Sequence, residues 1–169
     1  MKDIGVDIDI EENGTSFEEN AVIKAKAVME VTGEMVLADD SGFEVDALNG
    51  EPGIYSARYM GEDTPYSVKN AELIRRCEGV PDEKRGARFV CVIACAYPDG
   101  TVDTAKGVIE GRLAHEPAGE NGFGYDPIFY LPERGCTTGE LEPEEKNKIS
   151  HRGLAIAKMV EILKKRGTV

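Results

Sequence analysis

The stretch ARFVCVIACAYPDGTVDTAKGVIEGRLA, residues 87–114, carries the strongest strand pattern in the chain. Ala87 to Tyr97 is rich in β-branched and aromatic residues, and a two-residue alternation puts Phe89, Cys91, Ile93 and Cys95 on one face. Asp99-Gly100 is a hairpin signal, so a second strand is expected from Thr101 to about Ala114. Upstream, Met35 to Ala38 is a short apolar run stopped by Asp39-Asp40-Ser41-Gly42, and Phe43 to Leu48 resumes the pattern; the expectation is strand, acidic turn, strand. Ser16 with Glu19 forms a capping box ahead of Phe17, Ala21, Ala25 and Val28 at helical spacing, ended by Thr32 and Gly33. Before it, Ile4, Val6, Ile8 and Ile10 alternate with Gly5, Asp7 and Asp9, which predicts an extended segment with one buried face over Met1 to Ile10.

Downstream, Thr64-Pro65 opens a helix that runs through Leu73 and Ile74 and ends near Gly79 and Pro81. A turn-rich stretch covers Glu116 to Tyr130, and an acidic helical piece lies around Glu140 to Lys146. Ser150 caps a last helix with Ile156, Met159, Val160 and Leu163 as its apolar stripe and Gly167 as its stop. Strands and helices interleave in this way in an α/β fold, a mixed central β-sheet flanked by helices.

The chain has 169 residues, enough for one domain with a real core. Apolar residues at 41% and charged residues at 31% describe a globular protein, and no run approaches a membrane span or a secretory leader, so a cytoplasmic location without membrane contact is expected. The four cysteines, Cys77, Cys91, Cys95 and Cys136, lack the spacing of a zinc site or a disulfide framework. A net charge of −12 argues against nucleic acid as partner. It still allows a small polyanion, provided that a divalent cation bridges it to carboxylates.

Four patches are candidates for such chemistry. Glu11-Glu12 precedes the capped helix. Asp39-Asp40-Ser41-Gly42 closes an apolar strand, where a carboxylate pair holds a cation or supplies a general base, or else forms a plain solvated turn. In Asn121-Gly122-Phe123-Gly124-Tyr125-Asp126-Pro127, glycines alternate with aromatics; such a loop either lays rings against a flat base or pins Phe123 and Tyr125 to the core edge. Lys146 and Ser150-His151-Arg152 stand at the start of the last helix, where free amides favour an anion or a carbonyl oxygen, unless the His-Arg pair is surface decoration.

Taken together, FEENA (17–21), LADDSGFEVDALNG (37–50), PGIYSARY (52–59), GFGYDPIF (122–129) and EEKNKISHR (144–152) resemble, in order and spacing, the inosine triphosphate pyrophosphatases. The resemblance implies two lobes with an active-site cleft between them. It also implies Mg²⁺-dependent hydrolysis of non-standard purine nucleoside triphosphates (ITP, dITP, XTP) to the monophosphate and pyrophosphate, in a homodimer. Carried over by position, Asp40 is general base and metal ligand and Ser41 contacts substrate. Either Glu11 or Glu12 is the other ligand. Phe123, Gly124, Tyr125, Asp126, Lys146, His151 and Arg152 line the base pocket.

The family's leading strand and its Ser/Thr-x-Asn-x-x-Lys phosphate loop have no counterpart here, since Lys2 and Asn13 are in the wrong order and spacing. The expectation is therefore a single pyrophosphatase domain, residues 1–169, truncated at its N-terminus relative to the family, with Met1 internal to a longer protein and an open sheet edge. The alternative is a nucleotide-binding or assembly protein with impaired or absent catalysis.

Overall fold

The computed structural model describes residues 8–168. Most of the alternation expected over Met1 to Ile10 lies outside the described residues; residues 8–14 carry no helix or strand. Four α-helices and six β-strands follow: α1 (Phe17–Thr32), β1 (Val36–Val45), β2 (Pro52–Gly53), α2 (Tyr66–Arg76), β3 (Gly86–Ala96), β4 (Val102–Leu113), β5 (Phe129–Leu131), β6 (Cys136–Thr137), α3 (Pro143–Ile149) and α4 (His151–Arg166). The strands form one sheet in the order β2-β1-β3-β4-β5-β6, and each of the five described pairings is antiparallel.

The 87–114 hairpin forms the spine of the sheet. β3 pairs with β4 from Gly86↔Arg112 to Ala96↔Val102 and with the whole of β1 from Val45↔Ala87 to Val36↔Ala96. Its alternation decides the layering. Val90, Val92, Ala94 and Ala96 meet Phe17, Ala21 and Ala25 of α1, while Cys91, Ile93 and Cys95 meet Ala155, Met159 and Leu163 of α4. Phe43, Phe89, Tyr125, Ile128 and Phe129 form a third cluster, with Leu73 of α2, at the far end of the sheet. No helix among the described residues is long and apolar enough to cross a membrane.

Local signals hold at the ends of α1 and α4. The Ser16 hydroxyl accepts the Glu19 N–H at 3.1 Å, and Gly33 closes α1 with φ 69°. Glu19 reaches back to the Thr15 N–H at 2.6 Å, one residue earlier than a strict capping box requires. Ser150 likewise caps α4 through Gly153 N–H. At α2 the cap position falls on Pro65, and the Thr64 hydroxyl bonds Met60 O instead.

Two expectations are corrected. The segment Asp39-Asp40-Ser41-Gly42 is not a turn: β1 runs straight through it, with Asp39↔Ile93, Asp40↔Val92, Ser41↔Cys91 and Gly42↔Val90 paired. Pairing with the eleven-residue strand β3 at ten successive positions overrides the local turn preference of Asp, Ser and Gly. In α4, Met159 and Leu163 are buried as expected, but Ile156 and Val160 are 48% and 37% exposed; Ala155 takes the place beside the sheet. They flank the outer edge of β1 with Leu37, and between Val36 and Ser41 that edge has no paired strand among the described residues.

Candidate functional site

Because β1 is continuous, its two adjacent acids point to opposite faces of the sheet. Asp40 faces α1. Its Oδ1 accepts from Lys24 Nζ at 2.8 Å, and the same ammonium lies 3.4 Å from Glu12 Oε2. Asp39 faces α4, where Arg152 Nη2 reaches its Oδ2 at 2.9 Å and the Ser41 hydroxyl donates to it at 3.2 Å.

The two carboxyls are shifted in opposite directions. Burial pushes the Asp40 carboxyl above its ordinary range, opposed by the Lys24 ammonium and reinforced by the Glu12 charge. At Asp39 burial acts the same way, but the Arg152 guanidinium and the Ser41 hydroxyl outweigh it and hold the group below that range. Proton affinity at Asp40 thus rises chiefly from burial, not from repulsion by its neighbour in sequence.

Lys24 is the residue at this acid pair that the motif reading does not single out. A signal was present: Asn20 and Lys24 are polar, four residues apart, and sit on the helix beside Ala21, Ala25 and Val28. Of the two candidate glutamates, Glu12 stands at Lys24, whereas Glu11 is exposed.

Ser41, Phe123, Gly124, Tyr125, Asp126, Lys146, His151 and Arg152 line one cavity of about 200 Å³ on the other face, completed by Phe43, Ser56, Ala57, Tyr66 and Phe89. The loop is shaped by glycines with positive φ at Gly122 (78°) and Gly124 (66°), a backbone that side-chain-bearing residues rarely adopt. Its two aromatics have different fates. Tyr125 is buried, stacks on Phe43 at 5.2 Å and donates its hydroxyl to Ser56 O at 2.6 Å, while Phe123 is 71% exposed with Lys146 Nζ 4.9 Å from its ring centre.

Asp126 is buried at the root of the loop. Its carboxylate accepts Phe123 N–H at 2.8 Å, the Thr138 hydroxyl at 2.9 Å and the Lys146 ammonium. With its oxygens so engaged, Asp126 fixes the loop and aims Lys146. His151 stacks on Phe89 at 4.9 Å and is no surface decoration; burial, with the Arg152 and Lys146 charges, lowers its pKa to about 4, so the ring is neutral at physiological pH.

From behind, α2 supports the same wall. Asn70 Nδ2 donates to Gly124 O at 3.1 Å, and the buried Lys69 ammonium donates to Ala57 O at 2.6 Å. Neither residue carries a sequence signal, because a Lys-Asn pair in a helix reads as solvated surface.

A divalent cation fits the acid pair in one respect. Asp40 Oδ2 is buried with no hydrogen-bond partner, and two carboxylates with a cation between them already bracket the position. Among the described residues no three His, Cys, Asp or Glu side chains converge on one point. A cation here would take few protein ligands and leave its other positions for phosphate oxygens, the habit of Mg²⁺ rather than of a protein-caged metal.

A Ham1 family model matches residues 1–162. Among curated relatives, the dITP/XTP pyrophosphatase of Desulforamulus reducens is 55% identical over 155 residues, covering 92% of this chain and 77% of the relative. That of Geobacillus kaustophilus is 52% identical over 153 residues, covering 90% and 75%. The solved structure of the Staphylococcus aureus Ham1 protein superposes with a TM-score of 0.90 at 46% identity, covering 95% of this chain and 82% of that one.

Proposed function

Since the chain belongs to the Ham1 family, we propose that it hydrolyses non-standard purine nucleoside triphosphates such as ITP, dITP and XTP to the monophosphate and pyrophosphate. The observation that carries this reading is the placement of a base-sized cavity, walled by Phe123, His151 and Phe89, across one strand from a buried carboxylate with raised proton affinity.

In this reading the purine lies against Phe123, and the Lys146 and Arg152 donors meet its 6-oxygen. An adenine amino group there would set a donor against those donors, a mismatch that disfavours it. Ser41, beside Asp39 and Arg152, addresses the sugar-phosphate as it passes over β1.

Asp40 orients a water molecule and takes its proton as the water oxygen bonds to the α-phosphorus; the bridging P–O bond breaks and pyrophosphate leaves with the electron pair. Glu12 and Asp40 would hold the Mg²⁺, which when bound neutralises charge developing on the phosphates. Lys24 is the cation the structure places at the acid pair, and it keeps Asp40 available as a base despite burial. The reading includes a single pyrophosphatase domain and a homodimer, supported by the motif resemblance, and a cytoplasmic location.

The test is pyrophosphate release at millimolar nucleotide with Mg²⁺ across ITP, dITP, XTP and ATP. Release from the first three and not from ATP is expected. Equal release from all four, or from none, overturns the proposal.

A further inference from the structure

Two buried polar atoms at the acid pair have no hydrogen-bond partner, Asn20 Nδ2 and Asp40 Oδ2. Asn20 is fully buried, and its other terminal atom is committed: Oδ1 accepts the Gly14 N–H at 2.9 Å. The approach is close enough that a Cβ on Gly14 would lie 2.6 Å from that oxygen. Gly14 is two residues beyond Glu12, so this bond fastens the segment that carries Glu12 to α1. One turn along the helix, Lys24 holds Asp40 through Oδ1 and also reaches Glu12. Asn20 Nδ2 and Asp40 Oδ2 are thus an unpaired buried donor and an unpaired buried acceptor, and the Asn20 amide favours the charged form of the carboxylate.

We propose that Asn20 is a positioning residue that holds Glu12 and Asp40 in register, its Oδ1 anchoring the Glu12 segment through Gly14 and its Nδ2 presented to Asp40 Oδ2. The inference rests on the pyrophosphatase reading of that acid pair and extends it to a residue that touches neither substrate nor cation. A carboxamide meets the requirement, because it carries an acceptor and a donor on separate atoms of one short side chain. An aspartate there would set two acceptors against each other, and a leucine would satisfy neither partner. Residues that orient ligating groups in this way change metal affinity or activity by about 10–100-fold when they are removed.

Two variants approach the link from opposite ends. Asn20→Ala deletes it, and Gly14→Ala leaves the sequence of α1 intact and wedges a methyl group against Asn20 Oδ1, Glu19 Cβ and the Asn20 backbone nitrogen. Mn²⁺ binding to the full chain without nucleotide is followed by the free-Mn²⁺ electron paramagnetic resonance signal, alongside kcat and KM for ITP and thermal unfolding. For Asn20→Ala the expected result is Mn²⁺ affinity weaker by about 10–100-fold and kcat reduced to a similar degree. At saturating metal, KM should change far less than kcat, because the base cavity is on the other face of β1 and keeps its contacts. Gly14→Ala should move the same quantities in the same direction, and the double variant should be no worse than Asn20→Ala.

Wild-type Mn²⁺ affinity and kcat in Asn20→Ala would overturn the proposal. So would loss of cooperative unfolding in both variants, which would make the link a folding element. If the unaltered chain releases no pyrophosphate, the functional reading fails, while the Mn²⁺ titration still decides the role of Asn20.

Discussion

Acid sensitivity should trace to His151. Its pKa falls from 6.5 to about 4 on folding, because burial and the neighbouring Arg152 and Lys146 charges oppose a second positive charge beside them. A depressed pKa means that the unfolded chain binds the proton more tightly, so the stabilisation is complete above pH 6.5 and is lost as the pH falls toward 4. With these two values the loss between pH 7 and pH 5 is about 2 kcal/mol, corresponding to a drop in Tm of about 4–8 °C for a domain of this size. Other groups titrate in the same window, so the informative quantity is the difference between wild type and His151→Gln, which keeps a polar side chain and removes the titration. Urea unfolding of both at pH 7, 6 and 5 should show the gap between them moving by about 2 kcal/mol in favour of the variant as the pH falls. A gap constant with pH would refute the assignment of a neutral, desolvated imidazole at this position.

Asp40→Asn should lower kcat by about 100-fold or more with little change in KM, read by pyrophosphate release; near-normal turnover would remove Asp40 from the proton transfer. Phe123→Ala should leave thermal stability unchanged, the ring being largely exposed, and weaken ITP binding by about 1–3 kcal/mol, the usual worth of base stacking, in calorimetry. Lys146→Met should cost about 3–5 kcal/mol in urea unfolding, because it strands the buried Asp126 carboxylate. Gly107→Ala should be severely destabilising by thermal melt, since a Cβ there runs into the His151 carbonyl and the Ala155 amide and pushes α4 off the sheet.

Elements with strong local codes could be read from the sequence alone. The β3–β4 hairpin follows from alternation around Asp99-Gly100, and the starts of α1 and α4 from Ser16 and Ser150, because strand pleating and helix capping involve only residues a few positions apart. The order of the motifs was enough to point to the family. What the sequence could not supply was the face on which each charged group stands and what surrounds it. Read locally, Asp39 and Asp40 are a turn; paired with β3 they become opposite faces of a strand, one held low by Arg152, 113 residues away, the other raised by burial and tied to Lys24, 16 residues away. The same holds for Glu12 beside Lys24, for Asp126 at the root of its loop and for the uncharged His151. Desolvation and Coulomb interaction act through space between side chains that folding brings together, so the chemistry of this site, and the strand that carries its two acids, were decided by the tertiary structure, and the locally coded elements by the sequence.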